Sequence, residues 1–251
     1  MLASSSAGNC TFVGTGNTRI LVDAGLSRKE TCLRLQAIGE EPERIDAILL
    51  THEHSDHVSG LVSFLKKYRT PVYLTHLTEP TIDWNAGETP RELFQAGASF
   101  QVGDISIDSY TVPHDAADPV GFCFRAGGVK IGLVTDLGYI PASISVHVRG
   151  ADLLILESNH DLEMLKVGPY PWPVKQRVMS RRGHLSNDVV GEFIASGMDP
   201  ATATLVLGHL SEHNNHPELA RITAAQALSR RGLSTRLVVA EPRRQTEVFR
   251  Y

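Results

Sequence analysis

Four side chains of metal-ligand type fall within six positions of this chain. Residues 51–57 read Thr-His-Glu-His-Ser-Asp-His, an H-x-H-x-D-H pattern. An apolar run at 45–50 precedes it, which predicts a buried strand ending in a polar loop. Past the loop, Val58, Leu61, Val62 and Leu65 recur at helical spacing and Lys66 and Lys67 close the run, predicting an amphipathic helix. In an extended chain, residues two apart point the same way, so His52 and His54 can approach one cation together. A turn at Ser55 re-aims Asp56 and His57 towards a second position. Imidazole and carboxylate suit zinc, iron or manganese. The plain alternative, a polar loop in which Asp56 caps a helix, leaves three histidines in six positions unexplained.

Composition narrows the setting. The chain has 251 residues, 42% hydrophobic and 21% charged, and no visible linker, which predicts a single domain over 1–251 with one large core. A net charge of −4 excludes a polycation, so any basic surface must be local. Cys10, Cys32 and Cys123 lack metal-site spacing and fit small buried hydrophobes in a reducing compartment. No signal peptide and no membrane-length apolar run is visible. The expectation is a cytoplasmic protein without a membrane partner. Oligomeric state is not legible.

Strands are predicted at 10–13 and 19–22 about a turn at 14–17, with Asp23 closing the second. Asn9 stands before them as a candidate for the mouth of the site. Ser27 caps a predicted helix over 29–38 with Leu33, Leu35 and Ile38 facing in. A strand follows at 71–74. Residues 78–98 are irregular with a helical stretch. From 99 to 134 the pattern is all β: 99–102, 105–112, 120–125 and 130–134, with a hairpin at Gly127-Gly128. Polar residues break pattern at two strand ends, His114 and Asp136. A helix at 141–148 and a strand at 152–156 lead to Glu157. Ser186 caps a helix whose apolar face is Val189, Val190, Phe193 and Ile194. A strand at 202–207 delivers His209, a helix runs from Pro217 to about 228, and 237–240 and 248–249 close the chain as strands. His76, His147, His213 and His216 read as surface or structural residues.

Residues 160–183 differ in character. Lys166, Lys175, Arg177, Arg181 and Arg182 face only Asp161 and Glu163, and Tyr170 and Trp172 are interleaved among prolines. Basic residues alternating with aromatics can track a phosphate backbone and stack bases. The competing reading is a helical hairpin with solvated charges and packed aromatics.

The H-x-H-x-D-H motif resembles the signature of the metallo-β-lactamase fold superfamily. Residues 21–25 (LVDAG), 112–115 (VPHD), 133–136 (LVTD) and 207–209 (LGH) resemble its other motifs in the same order, so the resemblance spans nearly the whole chain. Residues 4–10 (SSSAGNC), 157–161 (ESNHD), 183–187 (GHLSN) and 208–211 (GHLS) resemble the WalJ/YycJ-type hydrolases. The resemblance implies an α/β fold, an αββα four-layer sandwich, and two divalent ions, Zn²⁺ or Mn²⁺ with Fe²⁺ also compatible. His52, His54 and His114 would hold one ion, and Asp56, His57 and His209 the other. Asp136 would bridge, and Asp23 would orient a metal-binding histidine. Hydroxide generated between the ions, with Asp56 in the catalytic set, would attack phosphorus in line. His184 would assist the leaving oxygen, with Glu157 orienting it or raising its pKa.

The function implied is a phosphodiesterase or exonuclease acting on nucleic acid, single- or double-stranded DNA. Asn9, His160, Trp172, Lys175, Arg177, Arg181 and Asn214 are the candidate substrate contacts. A small-molecule phosphodiesterase on cyclic nucleotides or cyclic phosphates is the first alternative, and a thioesterase or lactonase the second. A metal-depleted binding module conflicts with the full ligand set. Many β-lactamases carry Cys where Asp136 stands here. His114 and Asp136 lie 22 positions apart, too few for a tRNA-gripping arm, and the 48 positions from Asp136 to His184 cannot hold the inserted domain of β-CASP nucleases.

Overall fold

The protein is described from a computed structural model covering residues 1–85 and 88–251. Residues 86 and 87, inside the irregular 78–98 stretch, lie outside the described residues. The chain packs as two compact units: residues 1–111, 116–120 and 243–251 form the first, and 112–115 and 121–242 the second.

In the first unit, β1 (Thr11–Gly14), β2 (Arg19–Val22), β3 (Ala47–Leu49), β4 (Val72–Thr75) and β5 (Arg91–Phe94) form a sheet in chain order. β1 pairs antiparallel with β2, and the remaining neighbours are parallel. β6 (Ser99–Val102) and β7 (Ile105–Thr111) form an antiparallel ladder. Helices α1 (Arg28–Ala37), α2 (Ser55–Val58) and α3 (Leu61–Tyr68) complete it. The Ser27 hydroxyl accepts from Glu30 N–H and starts α1. Leu35, Leu61, Phe64 and Leu65 pack on Leu21, Ile48 and Leu50 of the sheet side, the burial that holds these short helices in place.

Four expectations change here. Leu33 is 50% exposed, because Thr31 and Leu35 are the buried positions of α1. The single helix expected after the motif is two, because Gly60 N–H turns away to the Ala24 carbonyl at 2.8 Å. Within 78–98 the described residues hold a 3₁₀ turn, Glu79–Thr81, and the strand β5 in place of an α-helix. Residues 248–249 form no strand. The preceding residues dock on the N-terminal region instead, Thr246 N–H donating to the Met1 carbonyl and Gln245 Nε2 to that of Arg34.

In the second unit, β8 (Val120–Ala126), β9 (Val129–Val134), β10 (Leu153–Glu157), β11 (Thr204–Gly208) and β12 (Arg236–Val239) lie in the order β12-β11-β10-β9-β8. β8 and β9 form the Gly127-Gly128 hairpin, and β9 to β12 are parallel. Both glycines have positive φ, 57° and 83°, as a two-residue hairpin of this hand requires. Helices are α4 (Ala142–Val148), α5 (Leu162–Val167), α6 (Trp172–Val178), α7 (Asn187–Ser196) and α8 (Pro217–Arg230). β10 and β11 are buried along their whole length, which explains their unbroken apolar runs. In register, Leu156 faces Val134 and Glu157 faces Gly208. Asp136, Glu157 and His209 therefore emerge together at the carboxyl edge of the parallel strands, where such sheets present their ligand sites.

Candidate metal centre

In the first unit, β2 and β3 end side by side and Asp23 N–H donates to the Leu49 carbonyl at 2.8 Å. Asp23 is 3% exposed and takes a left-handed backbone, φ 61°, which costs about 1–3 kcal/mol and is held by its surroundings. Its Oδ1 accepts from Thr51 N–H (2.8 Å) and its Oδ2 from His57 Nδ1 (2.8 Å). A carboxylate only accepts, so His57 carries its proton on Nδ1 and keeps Nε2 as its acceptor nitrogen. The Thr51 hydroxyl lies 3.0 Å from His52 Nδ1. The rings of His52 and His54 sit 4.6 Å apart, and those of His52 and His57 4.1 Å apart.

Asn9 belongs to this cluster. Its Nδ2 donates to Asp56 Oδ2 (3.0 Å) and meets His57 Nε2 (3.1 Å), while its Oδ1 accepts from Ser5 N–H (3.2 Å). It is buried against the ligand side chains, a correction to its expected place facing substrate. Gly25 permits this closeness: a Cβ there would stand 1.7 Å from the Asp56 carbonyl oxygen.

In the second unit, Asp136, Glu157, His184 and His209 bring one ligand atom each within 4.8 Å of one another. Glu157 is fully buried. Its Oε1 accepts from His184 Nδ1 at 2.7 Å and from His209 Nδ1 at 3.0 Å, and its Oε2 from Leu137 N–H at 3.0 Å and Leu185 N–H at 3.3 Å. Burial alone would raise this carboxyl, but the two imidazoles outweigh it and bring the pKa down to about 2. His184 shows the reciprocal effect: burial opposes its charge, yet the Glu157 carboxylate holds the imidazole above its ordinary value. His114 donates through Nδ1 to the Gly183 carbonyl (3.1 Å), and burial pushes its pKa down.

His57, His114 and His209 thus share one arrangement, Nδ1–H on an oxygen acceptor, which makes Nε2 the acceptor nitrogen of each ring. His209 Nε2 faces Asp136 Oδ1 at 3.4 Å, and His57 Nε2 faces Asp56 Oδ2 at 3.3 Å. The Asn9 amide stands against both atoms of the second pair, whereas with a neutral ring the first is acceptor against acceptor, a contact that a divalent cation between them satisfies. The donor set fits a metal on that ground. Asp136 and His209 also have left-handed backbones, φ 61° and 54°.

The basic stretch is partly redirected. Lys175 is 9% exposed and its ammonium donates to the Lys166 carbonyl at 2.7 Å, tying α5 to α6 rather than meeting phosphate. Arg177 Nε pairs with Asp115 Oδ2, and Arg182 Nε donates to the His114 carbonyl at 3.2 Å. Arg181 lies over the Tyr139 ring, 4.0 Å from its centroid. Trp172 is 59% exposed at the start of α6. His160 is 1% exposed, with Nδ1 lacking a hydrogen bond among the described residues, and burial lowers its pKa to about 4. Asn214 is 1% exposed and donates from Nδ2 to Ser211 Oγ at 3.3 Å. Sequence reasoning missed Thr51, Asp115 and Asn159, whose Nδ2 donates to the His209 carbonyl at 3.0 Å. Each stood inside or beside a quoted motif, Thr51 before H-x-H-x-D-H, Asp115 in 112–115 and Asn159 in 157–161.

A mixed α/β fold that presents histidines and carboxylates at the carboxyl ends of its strands, with H-x-H-x-D-H in the loop after β3, defines a metallo-hydrolase. The β-lactamase superfamily domain matches residues 18–210, and the chain belongs to that superfamily as a hydrolase that binds divalent metal. It is 39% identical over 235 residues to the exodeoxyribonuclease YycJ of Bacillus anthracis, covering 92% of this chain and 89% of that one. It is 38% identical over 243 residues to the exodeoxyribonuclease WalJ of Streptococcus pneumoniae, covering 93% and 88%. The metallo-β-lactamase fold protein YhfI of Bacillus subtilis shares the fold at a TM-score of 0.73 and 18% identity, over 96% of this chain and 94% of that one. Among the described residues no helix is long and apolar enough to cross a membrane.

Proposed function

We propose that this protein is a metal-dependent exonuclease acting on DNA. His52, His54 and His114 would hold one divalent ion, Asp56, His57 and His209 a second, and Asp136 would bridge, with Zn²⁺ or Mn²⁺ as the occupants. When bound, such ions would stabilise charge on the phosphoryl group and lower the pKa of a coordinated water towards neutral. Asp23 and Glu157 hold the ligand histidines in the Nε2-baring tautomer, and Asn9 steadies Asp56. The observation that carries a phosphodiester reading is His184. Its Nδ1 is held by Glu157 at 2.7 Å and lies 3.8 Å from Asp136 Oδ1, yet it stands outside the seven-ligand set. A charged imidazole so placed can give a proton from Nε2 to the leaving nucleoside oxygen. The 38–39% identity to two exodeoxyribonucleases supports nucleic acid as the substrate.

The test is a hydrolysis panel on the Zn²⁺- or Mn²⁺-loaded protein. It holds single- and double-stranded DNA, RNA, cyclic nucleotides, a thioester, a lactone and a β-lactam. End-directed cleavage of DNA above every other substrate is expected. Turnover of the cyclic nucleotides with intact DNA would sink the nuclease reading.

A further inference from the structure

We infer that Arg181, whose guanidinium carbon sits over the Tyr139 ring, seats a backbone phosphate of the bound strand other than the scissile one. This rests on the nucleic-acid reading above and names which cation of the basic stretch does the work. The stretch has five cations between 166 and 182, and their surroundings differ sharply. Lys166 is paired with Glu163 at 2.7 Å. Lys175 is buried on the Lys166 carbonyl, and Arg177 already meets a carboxylate at Asp115. Arg182 is aimed by its Nε at the His114 carbonyl. Arg181 alone makes no hydrogen bond or ion pair among the described residues, and it is exposed. Its guanidinium is nevertheless fixed by the Tyr139 face at 4.0 Å. A cation–π contact engages the guanidinium without using its N–H donors, so they stay available to two phosphate oxygens.

The pair is also held close to the reacting groups. Tyr139 follows Asp136 by three positions and Arg181 precedes His184 by three, and three residues reach no more than about 10 Å. Asp136 and His184 are themselves 3.8 Å apart. The two segments touch at Gly138, where a Cβ would stand 2.3 Å from the Ser180 carbonyl oxygen and 2.6 Å from that of Arg181. Arg181 is therefore a cation with no hydrogen bond or ion pair among the described residues, held against Tyr139, with its Cα no more than about 10 Å from that of His184. A mononucleotide or small ester has no phosphate there.

The experiment reads kcat/KM of the metal-loaded protein on a single-stranded oligodeoxynucleotide from about 50 to about 200 mM salt, with a small chromogenic phosphodiester alongside. Removing one phosphate contact flattens the slope of log kcat/KM against log salt by about 0.7 on a single strand. Arg181→Gln should show that change and lose more on the oligonucleotide than on the small ester. Arg181→Lys keeps the charge but not the stack, so it should keep the slope and lose roughly two- to fivefold. Arg177→Gln should keep the wild-type slope, because its charge is already met. An unchanged slope in Arg181→Gln, or a loss of slope in Arg177→Gln instead, would overturn the assignment. Failure of the wild-type protein to cleave any oligonucleotide while hydrolysing the small ester would overturn the nuclease reading and this inference with it.

Discussion

His184 and His209 lean on one atom, Oε1 of Glu157, and this sharing sets how the site responds to pH. The carboxylate favours imidazolium at His184, so the proton is retained above the ordinary imidazole range. A proton donor works below its pKa, so activity should fall as pH rises through that raised value. Glu157→Gln removes the charge and should move the alkaline limb of the kcat profile to lower pH. A limb that stays in place, in protein whose metal content is intact, would show that His184 is not the titrating donor. His184→Ala should keep its metal and lose roughly 10²–10⁴ in turnover. The loss should shrink on esters with activated leaving groups, which need little protonation. Equal losses on both kinds of ester would point to phosphate binding instead.

At the scale of elements, the α5–α6 hairpin is stitched by a buried ammonium. Lys175 reaches back to the Lys166 carbonyl in the last turn of α5, where helical carbonyls lack partners of their own. A buried hydrogen bond to a charged group contributes about 1.5–3 kcal/mol. Lys175→Met keeps the stem and removes the donor, so it should lower Tm by about 3–10 °C and speed proteolysis between α5 and α6. Full thermal stability in that variant would mean the hairpin is held by its other contacts. The strand ends work differently. Parallel register carries Asp136, Glu157 and His209 to one edge, and the left-handed turns at Asp136 and His209 re-aim the chain just past β9 and β11.

For the whole molecule, the ligand set predicts a stoichiometry and a stability change. Gently purified protein should approach two metal equivalents by elemental analysis. Chelation should lower Tm, since an ion that binds only the folded chain stabilises it by RT ln(1 + L/Kd), with L the free ion concentration. Asp136→Ala should reduce both equivalents and His209→Ala mainly one. A firm stoichiometry of one after saturation with Zn²⁺ or Mn²⁺ would remove the binuclear proposal.

The local parts were legible because they repeat locally. Apolar runs marked β2, β3, β10 and β11, hydroxyl caps at Ser27 and Ser186 marked the starts of α1 and α7, and the spacing of His52, His54, Asp56 and His57 announced a metal. Their order along the chain was enough for the family. What a charged or amide side chain does with its donors was not legible, because its partner lies far away in sequence. Asn9 reaches 47 positions to Asp56, Arg177 reaches 62 to Asp115, and Glu157 reaches 27 and 52 to its two histidines. Lys175, Arg177 and Arg181 read alike as cations in one stretch, and only the fold made one a buried staple, one an ion pair and one an exposed, stacked guanidinium. Composition and periodicity report the burial of a face. Which polar atom meets which is decided when the strands align and bring distant residues within hydrogen-bond reach.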